Sequence, residues 1–187
     1  VRYLLDAFDR TMGKQPWTEP HFLYFNFQSA HFPYYHDGVK LRFTQRPLDR
    51  GDMTQERAKD VQLTYWNAVA EADAWLGQVI SRLKALGVWD DTVLLVTGDH
   101  GEEFQERGFW FHASALTHTQ TTVPVLIKWP RSMGRGSPVA RASHLDLVPS
   151  ILDAIGIPEQ TWSDLPGRSL QRGDDKTSTL VTTHFAA

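Results

Sequence analysis

The sequence predicts an α/β fold in which helices cover a mostly parallel sheet. After a first helix, the hydrophobic pattern runs in the order strand, helix, strand, strand, helix, strand, which is typical of this fold class. Residues 90–99 form a short apolar run of the kind buried on both faces of a parallel sheet. Chemically active side chains lie at the ends of two predicted strands, at residues 29–33 and 97–101, and ligands bind at such strand ends in these sheets.

The first third of the chain is predicted to contain one helix and one strand. Residues 1–13 repeat apolar side chains at three- and four-residue steps, which indicates an amphipathic helix. Residues 22–27 are rich in aromatic side chains and are predicted to form a buried strand. Residues 36–52 are polar and interrupted by Gly and Pro, so they are predicted to be a loop.

A long helix is predicted to follow, with Asp52 as its N-cap, Gln55 three residues later and a stop at Gly87. Beyond it, residues 144–158 are predicted to contain a third, short helix, and residues 160–176 are predicted to be surface loop. The strands predicted in this part of the chain are 90–99, 121–130 and 177–185.

Length, charge and composition exclude several classes of function. The 187 residues are enough for one α/β domain with a core. A net charge of −3 provides no broad basic face, so no nucleic-acid partner is expected. The absence of Cys excludes thiol chemistry, thiolate metal sites and disulfides. No apolar run approaches the roughly 20 residues that span a bilayer, and no signal peptide is visible.

The dipeptide Asp99-His100, framed by Gly98 and Gly101, is the first candidate metal site. Glycines allow a sharp turn where the strand ends, and such a turn can direct both side chains at one ion. A carboxylate with an imidazole suits Zn²⁺ or Mn²⁺, and suits Ca²⁺ or Mg²⁺ less well. The alternative is an ordinary loop with an Asx turn and a surface histidine.

His112 follows twelve residues after His100, at the end of a loop long enough to return to the same strand end. The alternative is an ordinary histidine beside an apolar segment. Glu102 and Glu103 suit the first turn of a helix, although Glu102 could instead orient a metal-bound histidine. Structural or surface roles are expected for the histidines at positions 21, 36, 118 and 184.

Several familiar catalytic signatures are absent. The stretch "HGEEF" does not match His-Glu-x-x-His, which excludes a zincin site. The chain also contains no Gly-x-Ser-x-Gly motif, no Walker loop and no Gly-x-Gly-x-x-Gly motif.

Residues 92–130, "TVLLVTGDHGEEFQERGFWFHASALTHTQTTVPVLIKWP", resemble the C-terminal metal-site segment of the sulfatase family within the alkaline phosphatase superfamily. In that family a strand ends in an Asp-His-Gly or Asp-Asn-Gly metal motif, a loop carries a substrate-contacting His or Lys, and a Val-Pro strand follows. Asp99, His100 and His112 match these positions.

Two further segments extend the resemblance to roughly residues 20–157. "NFQSAHFPYY" is similar to the family's His-x-Pro segment, whose histidine contacts the transferred group, and places that role on His31. "SHLDLVPSILDAIG" is similar to the family's His-x-Asp segment at His144 and Asp146, which could alternatively be a helix-start cap or a lid contact. The resemblance implies a three-layer α/β/α, alkaline phosphatase-like fold.

The resemblance also indicates what the chain lacks. The family's nucleophile is a formylglycine made from Cys in a Cys-x-Pro-x-Arg motif, or a Thr or Ser in a related position. This chain contains neither Cys nor a Ser-x-Pro-x-Arg motif. Further acidic metal ligands come from N-terminal segments of the family. We therefore expect residues 1–187 to be the C-terminal portion of a sulfatase-like catalytic domain whose nucleophile-bearing N-terminal portion is absent, and we expect this portion alone to be inactive.

The function implied is metal-dependent hydrolysis of sulfuric or phosphoric esters, with His31 and His112 as catalytic residues and Asp99 and His100 as ligands of Zn, Mn or Ca. The substrate is a sulfate or phosphate ester, with lipids and glycans as candidates. The alternatives are a phosphoethanolamine- or phosphoglycerol-type transferase of the cell envelope, or a non-catalytic lipid-binding or regulatory module. The resemblance further implies an extracytoplasmic location, with membrane attachment only through a missing N-terminal segment.

Overall fold

The computed structural model describes residues 2–13, 17–136, 139 and 141–172. The chain divides into two compact units, which are described separately below. The first comprises residues 1–88 and 104–110, and the second comprises residues 89–103 and 111–187. The helices are α1 (Arg2–Met12), α2 (Ala58–Ala85), α3 (His118–Thr121) and α4 (Leu147–Ala154), and the strands are β1 (Leu94–Thr97), β2 (Glu103–Phe104), β3 (Trp110–Phe111) and β4 (Val125–Lys128).

Eight short 3-10 helices lie between these elements in the described residues. They are Gln28–Ala30, Arg50–Asp52, Gln55–Arg57, Trp89–Asp91, Arg131–Met133, His144–Asp146, Glu159–Thr161 and Leu170–Arg172. None of the helices in the described part of the chain combines the length and the hydropathy that crossing a bilayer demands.

In the first unit, the predicted amphipathic helix is confirmed as α1. Leu5, Phe8 and Met12 are buried at successive helical turns, as their spacing requires. On its polar side, the Asp9 carboxylate accepts two hydrogen bonds from the Arg82 guanidinium of α2, at 2.8 and 3.0 Å. This paired geometry joins the two helices, and it raises the pKa of Arg82 because the hydrogen bond to Asp9 favours the charged form.

The long helix α2 ends where the sequence predicts and begins later than predicted. Gly87 has a φ of 73°, and the Gly87 and Val88 amides donate to the carbonyls of Lys84 and Leu83, as in a Schellman-type ending. The Asp52 cap is wrong, because two 3-10 turns occupy residues 50–57 and the helix starts at Ala58 without a side-chain cap.

The strand predicted at residues 22–27 is also absent. The structure assigns no strand to these residues, and Phe22 and Tyr24 are 79% and 75% exposed. Aromatic residues favour strands because they pack on a half-buried pleated surface. Here no described strand pairs with the segment to create that surface, so the propensity is not realised.

One face of α2 carries Thr64, Asn67 and Glu71, a set that we call the polar stripe. Their spacing of three and four residues places them on adjacent turns of the same face. The Asn67 carboxamide accepts from the backbone amides of Arg42 and Phe43 at 2.7 and 2.8 Å and donates to the Thr44 carbonyl at 3.0 Å.

Thr64 continues this pattern at the far end of the loop. Its hydroxyl accepts from the Leu48 amide at 3.1 Å and donates to the Asp60 carbonyl at 2.9 Å. Thr64 and Asn67 are each only 1% exposed. The irregular backbone at residues 42–48 therefore obtains its buried hydrogen-bond partners from the side chains of one helix.

In the second unit, β1 and β4 are confirmed as strands, but they pair antiparallel, with Leu94 opposite Lys128 and Thr97 opposite Val125. Parallel neighbours need a crossover of a dozen or more residues, usually a helix. The connection at residues 98–124 contains only the four-residue helix α3 besides β2 and β3, so the chain returns antiparallel. Both described sheets have two strands, and the three-layer arrangement with a mostly parallel sheet stays a prediction.

A buried side-chain network fixes the connection between β1 and β4, and we call it the Gln120 network. The Gln120 carboxamide accepts from the amides of Ser114 and Ala115 at 3.3 and 3.2 Å. It donates to the Ser114 hydroxyl at 2.9 Å and to the Glu103 carboxylate at 3.2 Å. The Thr117 hydroxyl donates to the same Glu103 oxygen at 2.5 Å. Glu103 is completely buried, so these donors are what make its burial tolerable.

Gly101, in the connection between β1 and β4, lies in close backbone contact with α3. Its amide donates to the Gln120 carbonyl at 2.8 Å. A Cβ atom at this position would lie 2.0 Å from the Thr119 carbonyl oxygen and 2.9 Å from that of Thr122. Only glycine fits there without a backbone shift.

The predicted helix near residue 147 is confirmed as a 3-10 turn followed by α4. Asp146, 1% exposed, accepts from the amides of Ser143 at 2.8 Å and Arg168 at 2.9 Å, and with Ser143 it forms a capping box. Gly156 ends the helix with a φ of 77°. The strand predicted at residues 177–185 lies outside the described residues.

Removing the amide of Asn67 tests the polar stripe. A buried backbone group left without a partner costs about 1–3 kcal/mol, so Asn67→Ala is expected to lower the free energy of unfolding by at least about 2 kcal/mol. Chemical denaturation measures this change. Gln78→Ala, which removes an exposed amide from the same helix, is the control. Equal effects of the two substitutions would contradict the assigned role.

A methyl group at Gly101 tests the close contact with α3. Overpacking at such a site costs about 1–3 kcal/mol, so Gly101→Ala is expected to destabilise the protein by that amount in the same assay. Gly77→Ala is the matched control, because Gly77 lies in α2 with no atom within 4 Å of its added Cβ. Alanine there should stabilise by about 0.5–1 kcal/mol. A neutral Gly101→Ala would contradict the described packing.

Candidate functional site

The first candidate residues lie directly after β1, where the chain turns at Gly98. The Asp99 side chain is 90% exposed and the His100 side chain 37% exposed. The His100 amide donates to Asp99 Oδ1 at 3.1 Å, which is the Asx-type turn considered above. The same carboxylate oxygen lies 3.7 Å from His100 Nε2.

This geometry leaves the outer imidazole nitrogen of His100 available for a ligand. Nδ1 of His100 faces the Gly101 carbonyl at 2.9 Å, so it carries the proton, and Nε2 carries the lone pair in the neutral ring. Two ligands bound at about 2.1 Å in a tetrahedral site lie about 3.4 Å apart, close to the observed 3.7 Å between Asp99 and His100. The pair therefore fits two positions of a cation site.

The predicted return of His112 to this strand end is observed within the second unit. Its ring stacks on His100, with centroids 3.7 Å apart and an interplanar angle of 27°. Its Nδ1 donates to Glu102 Oε1 at 3.0 Å, and the Glu102 side chain is only 6% exposed. Glu102 thus orients a histidine, as one of the two alternatives proposed, but the histidine is His112. Neither Glu102 nor Glu103 begins a helix.

The backbone around His112 is strained. Phe111 and Ala113 have φ values of 63° and 58°, in the left-handed region that non-glycine residues rarely adopt. Such residues cost about 1–3 kcal/mol each and persist only where the surroundings hold them. Here the Gln120 network holds the chain directly after Ala113, through Ser114. The Gln120 network therefore fixes the backbone on the C-terminal side of His112.

His31 belongs to the first unit and is exposed there. It follows the 3-10 turn Gln28–Ala30, and its Nδ1 donates to the Phe32 carbonyl at 2.7 Å. As in His100, this contact assigns the ring proton to Nδ1 and leaves Nε2 as the second functional atom.

The His144 and Asp146 pair divides into two roles. Asp146 is the helix-start cap described above. His144 Nε2 donates to the Gly98 carbonyl at 2.8 Å, so it contacts the backbone immediately before Asp99.

Sequence reasoning missed Gln120 altogether, because a single Gln carries no pattern that distinguishes it from a surface residue.

Among the described residues, no group of three or more His, Asp or Glu side chains is arranged to hold a metal ion. Asp99 and His100 therefore account for two ligands and not for a complete site.

Comparisons with known proteins identify the family of this chain. The family model described as Sulfatase matches residues 2–157. Arylsulfatase K from Bos taurus is 32% identical over 108 residues, covering 58% of this chain and 20% of that protein. Choline-sulfatase from Rhizobium meliloti (strain 1021) is 29% identical over 116 residues, covering 60% and 22%. The chain spans about a fifth of the length of these curated relatives.

The solved structure of the phosphonate monoester hydrolase SpPMH from Silicibacter pomeroyi is also similar. The TM-score is 0.52 at 31% sequence identity, and the match covers 66% of this chain and 24% of that one. This likeness supports an alkaline phosphatase-like α/β fold. The family match extends from α1 through α4 and includes Asp99, His100 and His112. The chain belongs to the sulfatase family.

Proposed function

We propose that this chain is the C-terminal portion of a metal-dependent sulfatase-like hydrolase that acts on sulfuric or phosphoric esters. The observation that carries the proposal is the cluster of Asp99, His100, Glu102 and His112 at the end of β1, inside the family-matched region. In the longer protein we expect a three-layer α/β/α arrangement with a mostly parallel sheet. The relatives reported above carry hydrolase names, which favours hydrolysis over the transferase and lipid-binding alternatives.

Asp99 Oδ1 and His100 Nε2 are the atoms that would hold a divalent cation, with Zn, Mn and Ca as candidates. When bound, the cation polarises the non-bridging oxygens of the ester and lowers the pKa of the nucleophile. The Nδ1 contact of His100 with the Gly101 carbonyl keeps Nε2 free for this bond. We propose that the remaining ligands and the nucleophile come from an upstream portion of the longer protein.

His112 and His31 are proposed to act on the transferred group. In both rings Nδ1 is engaged, by Glu102 in one case and by the Phe32 carbonyl in the other. A second proton on either ring therefore resides on Nε2, from which it can be donated to a non-bridging oxygen or to the departing alkoxide. Lipids and glycans are the candidates for the alcohol part of the ester. An extracytoplasmic location with an upstream membrane anchor belongs to the same proposal.

Metal content of the full-length protein tests the cation site. Asp99→Ala is expected to lose most of its bound divalent metal, measured by elemental analysis after dialysis, because a carboxylate ligand is removed. Asp91→Ala, an exposed acidic residue just before β1, should retain the metal. Unchanged metal occupancy in Asp99→Ala would favour a non-catalytic binding module.

Replacing His112 tests the catalytic assignment in the full-length protein. His112→Ala is expected to lower kcat for sulfate or phosphate ester hydrolysis about 10²–10³-fold, the usual effect of losing a donor to developing charge. His118→Ala removes an exposed histidine whose ring contacts the Thr122 hydroxyl at 2.9 Å, and should leave kcat within about twofold. Equal losses in both variants would indicate general damage to the unit.

The isolated 187-residue chain is expected to show no turnover of p-nitrophenyl sulfate or p-nitrophenyl phosphate, because the nucleophile and the remaining ligands of its activating cation are proposed to lie on an upstream portion. Robust hydrolysis that persists in a chain carrying His112→Ala would be attributed to a contaminant. Robust hydrolysis that the same substitution abolishes would contradict the assignment of the nucleophile to an upstream portion.

A further inference from the structure

We propose that Glu71 is a positioning residue for His31, because one oxygen of its carboxylate binds both ends of the loop that carries this histidine. The inference rests on the proposed function of His31 at the transferred group. The loop comprises residues 29–36, and Glu71 lies on the polar stripe of α2 within the same unit.

The two contacts meet at a single atom. The Ser29 hydroxyl donates to Glu71 Oε2 at 2.6 Å, and His36 Nε2 donates to the same oxygen at 3.1 Å. Ser29 precedes His31 by two residues, and His36 follows it by five. Glu71 therefore binds a side chain on either side of the proposed catalytic histidine and holds the two ends of the loop together.

The Ser29 contact is the stronger of the two. The Glu71 side chain is 13% exposed, and a short hydrogen bond from a hydroxyl to an ionised carboxylate is stronger than a neutral one. The His36 side chain is 56% exposed, and exposed ion pairs contribute little. Removal of the carboxylate should therefore act mainly through Ser29, on the turn that leads directly into His31.

His36 reports on whether the contact is made. Its Nδ1 faces the Asp37 carbonyl at 3.0 Å while Nε2 faces Glu71, so both nitrogens meet acceptors and only the doubly protonated ring satisfies both. The hydrogen bond to Glu71 and, next, that to Asp37 raise the pKa of His36, whereas burial opposes them. Because the folded pKa is raised, the stabilisation is complete below the ordinary value of about 6.5 and is lost as pH rises through the folded pKa.

An apolar anchor holds the same loop independently. Tyr34 is 1% exposed, and its ring packs edge-on against Tyr65 of α2 with centroids 5.2 Å apart. If Tyr34 alone orients the loop, then removal of the Glu71 carboxylate would not change the position of His31. The experiment must therefore separate positioning of His31 from general stability.

A double-mutant cycle in the full-length protein makes this separation. Glu71→Gln and Ser29→Ala are each expected to lower kcat/KM by about 10–10²-fold, as small misplacements of a catalytic group do, mainly through kcat. In the His31→Ala background the same substitutions are expected to have no further effect, because the group they position is gone. Asp73→Asn, at an exposed carboxylate on the same helix, is the control and should leave kcat/KM unchanged in both backgrounds.

The outcomes are distinguishable. Losses of equal size with and without His31 would assign Glu71 a structural role and overturn the proposal, as would full activity in Glu71→Gln. An active His31→Ala variant would instead overturn the proposed function of His31.

Proton NMR of the 187-residue chain supplies a readout that does not depend on activity. The pKa of His36 is expected to lie above about 6.5 in the unsubstituted chain, and to fall towards that value in Glu71→Gln while the amide spectrum stays folded. The imidazole signals of His31 should shift in Glu71→Gln and Ser29→Ala but not in Asp73→Asn. Unmoved His31 signals in a folded Glu71→Gln chain would overturn the proposal.

Discussion

Side chains that provide hydrogen-bond partners for backbone groups fix two irregular segments of this chain, residues 42–48 and 114–115. Irregular segments carry every proposed catalytic residue, and their peptide groups need hydrogen-bond partners just as a strand does. In the first unit the polar stripe of α2 supplies them, through Asn67 and its neighbours. In the second unit Gln120 supplies them. Both residues are polar and buried, which is tolerable only because each polar atom is used. Among the candidate residues, His112 lies next to such a segment, because the Gln120 carboxamide binds the amide of Ser114.

Hydrophobic periodicity and glycine stops were sufficient to predict α1, α4, the body of α2 and the strands β1 and β4, because each is specified by its own sequence. Pairing direction was not predictable in this way. The apolar run of β1 suits a parallel sheet, yet its partner is the antiparallel β4, since direction depends on the connection. Aromatic propensity likewise failed at Phe22, which has no described strand to pack against. The motif spacing at Asp99, His100 and His112 identified side chains that do come together. Gln120 and Glu71 instead act through contacts with other turns of the chain, which no local pattern encodes.

The three candidate histidines share one arrangement. His31 and His100 each direct Nδ1 at a neighbouring backbone carbonyl, and His112 directs it at the carboxylate of Glu102. In each neutral ring the proton therefore lies on Nδ1 and the lone pair on Nε2, and this tautomer is set by a backbone carbonyl one position away or by a nearly buried acid. Asp146 differs from these histidines, because both oxygens of its carboxylate already accept hydrogen bonds from backbone amides, one from Ser143 and one from Arg168. The His-x-Asp segment thus contains an acid that caps a helix, Asp146, and a histidine, His144, that donates a hydrogen bond to the Gly98 carbonyl.

The left-handed backbone on both sides of His112 implies a competition inside the loop. Two such residues together cost about 2–6 kcal/mol, and the hydrogen bonds that Gln120 makes with Ser114, Ala115 and Glu103 oppose that cost. A substitution that weakens this network is therefore expected to let Phe111 and Ala113 return to ordinary backbone angles and to move the His112 ring away from His100. Such a change is local, so it requires less free energy than unfolding of the whole chain.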